Sequence, residues 1–348
     1  MTEYEHLYDG RERPIFNPFS ASGFPKFNPN WIFRDNELKL YSKPKHMRNL
    51  IKTVGGNILK ANELGKSSAC LVIVYENEHI NFASCFRIGP SIWCTAMHNL
   101  LPEDLTNSEV NELYLLLSEE IPGLGDHGSI RELKADSSYK DMIIECAAIP
   151  VDPKFFELYA DDVDIKSGMN RDNRNDFALL RSEKDDGLEG FLLPADFNVM
   201  DQVGVLGYNL PVFESTLQRM FGDEAVLLSS ITSLFNRYNK RSLSPGNVLE
   251  GVSNRIFPHS CSTVQGASGS AVVSLEHIGF FNGVHIGGWT KAQLVDNNYN
   301  VAISVNHPVF VVEYAKNVLP LISDDLKTLI NTFLSKHADL IAKYNLNK

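Results

Sequence analysis

No stretch of this sequence approaches the ~18 consecutive apolar residues that a membrane-spanning helix needs. The N-terminus, MTEYEHLYDGRERPIF, also lacks the apolar segment of a secretory signal. We therefore expect a protein without a membrane span, located in the cytoplasm or exported by a route that needs no N-terminal signal peptide.

Basic residues are in the minority. Lysine and arginine together number 32 against 43 acidic residues, which gives a net charge of −11. Nucleic acids and anionic membranes both attract a basic face, so we expect neither as the main partner. The sequence makes no prediction about oligomeric state.

Cysteine is sparse, and its positions form no CxxC pair. An odd number of thiols at irregular spacing favours reduced, buried cysteines in an intracellular protein. Cys85 and Cys94 leave one alternative open, because a hairpin turning at Gly89-Pro90 would place them opposite each other in a cross-strand disulfide. We predict neither a metal site nor a cofactor. The five cysteines are Cys70, Cys85, Cys94, Cys146 and Cys261.

Helical periodicity is almost absent from the middle of the chain. From about residue 66, short β-rich runs alternate with turns, among them SACLVIVY, INFASCFRI, VGVLGYN and NVAISV. Apolar residues make up 43% of the chain, which is enough to fill a core. Many short strands of this kind predict an all-β body, built either as two barrels or as a sandwich.

The body divides into two halves. Residues 1–60 mix proline, asparagine and aromatic residues without a period, and they predict an irregular N-terminal extension. The stretch EKDDGLEGFLLPADF, residues 183–197, is the expected crossing between a first half, 61–190, and a second half, 191–318.

The C-terminal segment, 319–348, differs from the body because its apolar residues recur at helical spacing. Ser323 is suited to cap a helix, and Asp324 and Asp325 would lie in its first turn, where negative charge is favoured. The segment predicts a C-terminal α-helix that packs on the body through one apolar stripe.

A candidate nucleophile lies in STVQGASGSAVV, residues 262–273. A Gly-x-Ser-Gly sequence ahead of a strand can hold the hydroxyl of Ser268 on a sharp turn, although the same composition is common in loops. A serine hydroxyl also needs a base to remove its proton as it attacks. His98 ends the run SIWCTAMH, where a strand leaves the core, so it is either that base or a surface histidine at a strand end.

An acid should orient the imidazole of such a base. Asp176 stands directly before the apolar run of DFALL, which would place its carboxylate at the edge of the core. The alternative interpretation is that Asp176 is a turn or capping aspartate. Asp172 lies near by, but Asn173 and Arg174 follow it and no strand would position it.

The motifs TAMH, DFALL and GASGS, in the order His, Asp, Ser, resemble those of the chymotrypsin-like serine proteases. The resemblance extends over residues 65–318 and implies two six-stranded antiparallel β-barrels. It also implies a catalytic triad of His98, Asp176 and Ser268, with an oxyanion hole formed by the N–H groups of Gly266 and Ser268. The 78 residues from His98 to Asp176 imply an insertion between them.

The stretch FFNGVHIGGW resembles the strand that carries the S1 histidine in glutamyl endopeptidases and in picornavirus-type processing proteases. That resemblance implies a P1-binding site formed by Thr263, His285 and Gly287. It indicates a protein or peptide substrate cleaved after Glu, with Gln at P1 as the alternative. From another functional class, a protease-fold interaction module without turnover is the competing hypothesis.

Two positions depart from the usual protease pattern. Ala267 precedes the nucleophile where many trypsin-like enzymes have an aspartate that pairs with a freed N-terminus, so KTVGGN at 52–57 is not expected to act as an activation site. Asn99 replaces the frequent cysteine after the catalytic histidine, which agrees with a disulfide-free protein. The full-length chain is therefore expected to be active without cleavage.

Overall fold

The computed structural model describes residues 31–34, 37–40, 62–101, 108–122, 128–155, 158, 175–183, 190–210, 239–261, 263, 266–289 and 299–346. The strands are β1 (Trp31–Arg34), β2 (Glu37–Leu40), β3 (Ser68–Tyr75), β4 (Ile80–Gly89), β5 (Ile92–Thr95), β6 (Val110–Leu116), β7 (Ile143–Ala148), β8 (Ala178–Ser182), β9 (Leu193–Pro194), β10 (Gln202–Tyr208), β11 (Arg241–Asn247), β12 (Ile256–His259), β13 (Ala271–Ser274), β14 (Phe280–Trp289) and β15 (Tyr299–Ser304). The α-helices are α1 (Ile130–Ala135), α2 (Pro308–Asn317), α3 (Asp324–Leu329), α4 (Asn331–Lys336) and α5 (Ala338–Lys343). None of the described helices is long and apolar enough to cross a bilayer.

The first barrel is closed and has six antiparallel strands in the order β3-β4-β5-β8-β7-β6, as predicted. All eight residues of β3, SACLVIVY, are buried. Because successive side chains of a strand point to opposite faces, alternate residues of β3 enter different cores. Leu71 and Ile73 pack inside the barrel, whereas Val72 and Val74 pack on its outer side against Tyr208 and neighbouring residues of the second half.

The second half is a curled sheet whose six antiparallel strands follow the order β12-β15-β14-β13-β10-β11. A single bridge between Val248 and His259 connects the end of β11 to β12. Two backbone hydrogen bonds flank it: Leu249 N–H donates to the Pro258 carbonyl at 2.9 Å, and Ser260 N–H donates to the Asn247 carbonyl at 3.0 Å. The second predicted barrel is thus a half-barrel in which the chain after β11 meets β12.

The N-terminal extension is not irregular throughout, which corrects the sequence prediction. β1 and β2 form an antiparallel hairpin, and β1 continues the second sheet by pairing with β11. In the sequence, the runs WIFR and ELKL are separated by the turn residues Asp35 and Asn36, a pattern that is typical of a hairpin. A hairpin this short is marginally stable by itself, so its strands depend on the tertiary pairing of β1 with β11.

The predicted crossing between the halves, 183–197, is described at residues 183 and 190–197. Leu192 N–H donates to the Arg87 carbonyl of the first barrel at 3.0 Å, and Leu193 N–H donates to the Gly279 carbonyl of the second half at 3.0 Å. β9 then runs parallel to the start of β14. The crossing is therefore hydrogen-bonded to both halves and helps to fix them against each other.

The C-terminal segment is helical, and it begins at the predicted cap, where the Ser323 hydroxyl accepts a hydrogen bond from Leu326 N–H at 3.4 Å. It is divided into α3, α4 and α5 because Ile330 and His337 leave the helical conformation. Its apolar stripe packs on the body as predicted, with Phe333 and Ile341 buried.

The preceding helix, α2, was assigned to the second barrel from sequence. Eight of its ten residues are buried. A helix that is apolar nearly all round shows no amphipathic period, and a short apolar run cannot be distinguished from a strand. This burial explains why the sequence did not predict it.

One aromatic cluster joins the two halves to α2. Phe86 of β4 contacts Phe281 of β14 edge-to-face with ring centroids 5.1 Å apart, and Phe281 contacts Phe310 of α2 at 5.9 Å. Phe310 in turn contacts Phe177, the residue after Asp176, at 5.4 Å. The core that holds the halves together thus reaches the candidate site.

The alternative disulfide between Cys85 and Cys94 is wrong. In the β4–β5 pair Cys94 lies opposite Phe86, one residue away from the register that a disulfide requires. A slip of one residue turns a side chain to the other face of the sheet, and Cys85 accordingly lies inside the first barrel while Cys94 lies in the core shared with the second half. All five cysteines are buried free thiols.

Candidate active site

His98 and Asp176 meet because their strands are neighbours. β5 pairs with β8 so that Thr95 lies opposite Ala178, which places the residues following β5 beside those preceding β8. His98 lies in a single 3-10 turn, Met97–Leu100, that leads away from β5. Asp176 accepts two hydrogen bonds from His98, one from Nδ1 at 2.6 Å and one from the backbone N–H at 2.8 Å.

The two side chains differ in exposure. Asp176 is buried, whereas the side chain of His98 is 39% exposed, so part of the imidazole remains accessible from outside. Partial burial lowers the pKa of the His98 imidazole, but the charge of Asp176 and the hydrogen bond to it together outweigh this effect. The pKa of His98 is therefore raised above its ordinary value.

The loop that carries Ser268 lies directly against the same end of the first barrel. Gly269 has a φ of +87°, and a Cβ at this position would lie 2.2 Å from the Ser84 carbonyl oxygen and 2.3 Å from Thr95 Oγ1. Only glycine allows both this conformation and this approach. Gly269 thus brings Ser268 to the strand ends that also carry His98.

The peptide groups around Ser268 are oriented by hydrogen bonds. Ser270 N–H donates to the Ala267 carbonyl at 3.0 Å. Since the carbonyl and N–H of one trans peptide point in opposite directions, this bond directs the Ser268 N–H away from Ser270. Gly266, with a φ of +86°, has its carbonyl held by the Ser84 hydroxyl at 2.8 Å. In the part of the chain that the structure describes, neither the Gly266 nor the Ser268 N–H donates to a carbonyl.

Ser268 itself is held by its carbonyl oxygen. Ser84 N–H donates to it at 3.2 Å and Asn99 Nδ2 donates to it at 3.0 Å. The residue is half-buried, and among the hydrogen bonds between described residues none joins its hydroxyl to His98. In catalytic pairs of serine and histidine, this hydrogen bond often forms only when substrate is bound.

His285 lies beside the nucleophile loop. Gly269 N–H donates to the His285 carbonyl and His285 N–H donates to the Ser270 carbonyl, both at 2.8 Å. His285 and Thr263, two of the predicted pocket residues, are buried. Gly287, the third, has a φ of +142° and follows an irregularity in the pairing of β14 with β15. Residues 262, 264 and 265, around Thr263, lie outside the described part of the chain.

A second buried histidine, His259, was not predicted. Its Nε2 lies 3.2 Å from Nδ1 of His285. β15 pairs with both β12 and β14, so the two histidines, 26 residues apart in sequence, face each other across it. The only sequence signal is a histidine at the end of the short apolar run IFPH, which resembles many structural histidines.

Both histidines of this pair are neutral near pH 7. Burial, with a smaller contribution from the charge of His98, lowers the pKa of His285 to about 3, although the Val301 carbonyl acts in the opposite direction. Burial, with a smaller contribution from the neighbouring His285, holds the pKa of His259 well below its ordinary value.

Asp172 and the stretch KTVGGN at 52–57, both considered from sequence, lie outside the described part of the chain. Among the described residues no group of three or more histidine, cysteine, aspartate or glutamate side chains could hold a metal ion.

A scan against protein-family models gives no match, and a search of curated proteins gives no match either. Solved structures similar to the chain include the active form of the Rv3671c protease from M. tuberculosis, with 12% identity over 76% of this chain and 85% of that one, at a TM-score of 0.40. A Glu endopeptidase has 15% identity over 71% and 89% of the respective chains, at 0.41. GrC has 15% identity over 72% and 94%, at 0.42. At these values the chain is similar to the three structures in part.

Proposed function

We propose that this protein is a serine endopeptidase that cleaves peptide bonds through an acyl-enzyme, with a preference for Glu at P1. The observation that carries the proposal is the pair of hydrogen bonds from His98 to Asp176 at the strand ends against which Gly269 packs the Ser268 loop. The base is oriented by an acid, and the serine is held at the same place.

In the proposed mechanism, Ser268 Oγ attacks the scissile carbonyl while His98 Nε2 takes its proton. Asp176 keeps the other ring nitrogen, Nδ1, as the protonated one, because a carboxylate can only accept. His98 then returns the proton to the leaving amine. Water, deprotonated by His98 in turn, hydrolyses the acyl-enzyme and frees Ser268.

The oxyanion of the tetrahedral intermediate is assigned to the N–H groups of Gly266 and Ser268. Ala267 O, which shares a peptide group with the Ser268 N–H, accepts from Ser270 N–H, and Gly266 O, in the peptide group that follows the Gly266 N–H, accepts from the Ser84 hydroxyl. Donors held in place before the reaction need no reorganisation when charge develops, and one such donor is commonly worth ~3 kcal/mol of barrier.

The P1 preference follows from His285, which supplies one N–H when neutral. We assign the proton between the two histidines to His259 Nε2, so that it donates to His285 Nδ1. The opposite assignment would leave an N–H at His259 Nδ1, which is buried and has no partner among the described residues. With Nδ1 of His285 accepting, its Nε2–H is the donor left for a P1 side-chain oxygen, together with Thr263, and the P1 oxygen takes it in competition with the Val301 carbonyl.

The neutral state of His285 determines the basis of the proposed selectivity. A preference for Glu based on a protonated His285 would narrow as pH rises past the pKa of the imidazole. Burial places that pKa at about 3, so His285 is neutral in the free enzyme near pH 7. Glu is favoured instead because an ionised acceptor makes a hydrogen bond roughly twice as strong as a neutral one. The neutral donor also suits the amide of Gln, which keeps a processing protease selective for Gln as the second candidate.

The test combines a covalent probe with a profile of cleavage sites. Full-length protein should be labelled by a fluorophosphonate and should cleave matched peptides with Glu at P1 faster than those with Gln, Asp, Leu or Arg. Ser268→Ala should lose labelling and lower kcat by ~10⁴-fold or more while unfolding at the same temperature. Folded wild-type protein that is never labelled would instead support an interaction module, and preference for Gln would support the second candidate.

A further inference from the structure

Asn99 lies in a closed ring of hydrogen bonds that joins the first barrel to the Ser268 loop. Its Nδ2 donates to Thr95 Oγ1 at 3.0 Å and to the Ser268 carbonyl at 3.0 Å. Thr95 Oγ1 donates to the Ser84 carbonyl at 2.8 Å, and Ser84 N–H donates to the Ser268 carbonyl at 3.2 Å. Each of the four residues is therefore connected to two others.

The directions of these bonds require an amide at position 99. The single hydroxyl proton of Thr95 is used on Ser84, so Thr95 Oγ1 must accept from its other neighbour. The Ser268 carbonyl can only accept as well. Asn99 therefore has to provide two donors from one atom, which the NH₂ group of a carboxamide does.

This ring acts on the part of the loop that matters for the proposed reaction. The Ser268 carbonyl carbon is bonded to the Cα that carries the nucleophilic side chain, so fixing that carbonyl restricts the backbone torsion ψ of Ser268 and thereby the direction in which the side chain leaves the backbone. The other end of the ring is rigid, because Thr95 belongs to β5 and Ser84 to β4, both inside the closed barrel. The base, His98, is the sequence neighbour of Asn99 in the same 3-10 turn.

We propose that Asn99 is a positioning residue that holds Ser268 in register with His98 by bonding the Ser268 carbonyl, an inference that rests on the proposed peptidase function. It does not touch substrate in this role. It sets the distance between nucleophile and base, which belong to different halves of the protein.

The decisive variant is Asn99→Leu, which keeps the approximate volume and removes both donors. A displacement of about 1 Å between reacting groups can cost roughly 10²-fold in rate, so we expect kcat per active site to fall about 10- to 100-fold with KM nearly unchanged. Asn99→Asp places a carboxylate, which can only accept, opposite two acceptors, Thr95 Oγ1 and the Ser268 carbonyl. Its kcat should fall at least as much. Asn254→Leu, at an exposed asparagine outside the ring, is the matched control and should keep the wild-type kcat.

Active-site titration with a fluorophosphonate carried to completion separates positioning from folding. A structural role would reduce the fraction of molecules that react but leave kcat per labelled site unchanged, and that result for Asn99→Leu would overturn the proposal. The pH midpoint of the activity of Asn99→Leu should stay at the wild-type value, because the bonds from His98 to Asp176 are intact. If Asn99→Leu does not fold, the same measurement on Asn99→Ala decides.

Hydrogen exchange provides a readout independent of activity. Amides of residues 266–270 should exchange faster in Asn99→Leu than in wild type, while those of β3 should not change. Wild-type protein that is neither labelled nor active would contradict the proposed function and not the ring. Unchanged exchange at 266–270 in Asn99→Leu would contradict the ring itself.

Discussion

The carboxylate of Asp176 binds both the ring and the backbone of His98, with Oδ2 at 2.6 Å from Nδ1 and Oδ1 at 2.8 Å from the backbone nitrogen. The acid therefore determines the position of the residue as well as the orientation of its ring. The backbone bond would survive replacement of the carboxylate by an amide whose oxygen faces the N–H. The ring bond would change, because an amide can donate to Nδ1 and favour the wrong tautomer.

Asp176→Asn should consequently lower kcat by ~10⁴-fold with little effect on folding. Asp172→Asn, from the segment outside the described residues, is the matched control and should retain most activity. The measurement is kcat for both variants on one peptide, with unfolding curves. A larger loss at position 172 would show that Asp176 is not the orienting acid.

The acid limb of the pH profile should report His98. The imidazole must be neutral to accept the serine proton, so activity should rise with pH through its pKa, which Asp176 holds above the ordinary value. We expect the midpoint of kcat/KM to lie above ~6.5, the unperturbed value for histidine. NMR titration of His98 in the Ser268→Ala variant provides the independent check, and a pKa below that of a free histidine would contradict the prediction.

The ratio of kcat/KM for Glu to that for Gln at P1 should be flat from about pH 6 to about pH 9, because His285 is neutral throughout. A ratio that falls as pH rises would show that His285 takes up a proton when Glu binds.

His285→Leu should lower kcat/KM for Glu at P1 roughly 10²-fold, because a hydrogen bond to a charged group is lost, while fluorophosphonate labelling is retained. Equal losses of labelling and of Glu cleavage would indicate damage to the nucleophile loop instead.

His259→Phe tests the assigned tautomer. Phenylalanine fills the same buried space but cannot donate a hydrogen bond to His285 Nδ1. The tautomer of His285 that carries its proton on Nε2 is then no longer favoured. We expect kcat/KM for Glu at P1 to fall about 10-fold or more, as the loss of one hydrogen bond implies. The kcat/KM for Leu at P1 should change little. A uniform change for all P1 residues would mean that His259 only fills the core.

The close approach of Gly269 can be separated from its backbone conformation by comparison with Gly279. Both have positive φ, +87° and +95°, but a Cβ at Gly279 would meet nothing within 4 Å. Alanine should cost about 1–2 kcal/mol of unfolding free energy at either position through the left-handed conformation. At Gly269 overpacking against Ser84 should add roughly 1–3 kcal/mol and abolish labelling. Urea unfolding of both variants measures the difference.

The residue types and the order of the site could be predicted from sequence because each motif is local. A histidine at the end of an apolar run, an aspartate before one and a serine between glycines each require only a few neighbouring residues to be recognised. The all-β body and the cap at Ser323 follow from equally local patterns of apolar and turn residues.

Other features depended on strand register, which single sequence patterns define poorly. One residue of register in the β4–β5 pair decides that Cys85 and Cys94 face different cores, and the pairing of β15 with two partners decides that His259 meets His285. The hairpin β1–β2 gains its place only because β11 has an edge to pair with.

By itself, the sequence determined which chemical groups are available: an imidazole, a carboxylate, a hydroxyl on a glycine turn and a histidine in an apolar strand. The tertiary structure decided their states and their spacing. Burial makes His285 neutral, the neighbouring carboxylate makes His98 more basic, and Asn99, which from sequence only marked a missing cysteine, becomes the donor that joins the two halves at Ser268. The reason is that pKa and hydrogen-bond direction depend on groups distant in sequence, which only the packed fold brings within a few ångströms.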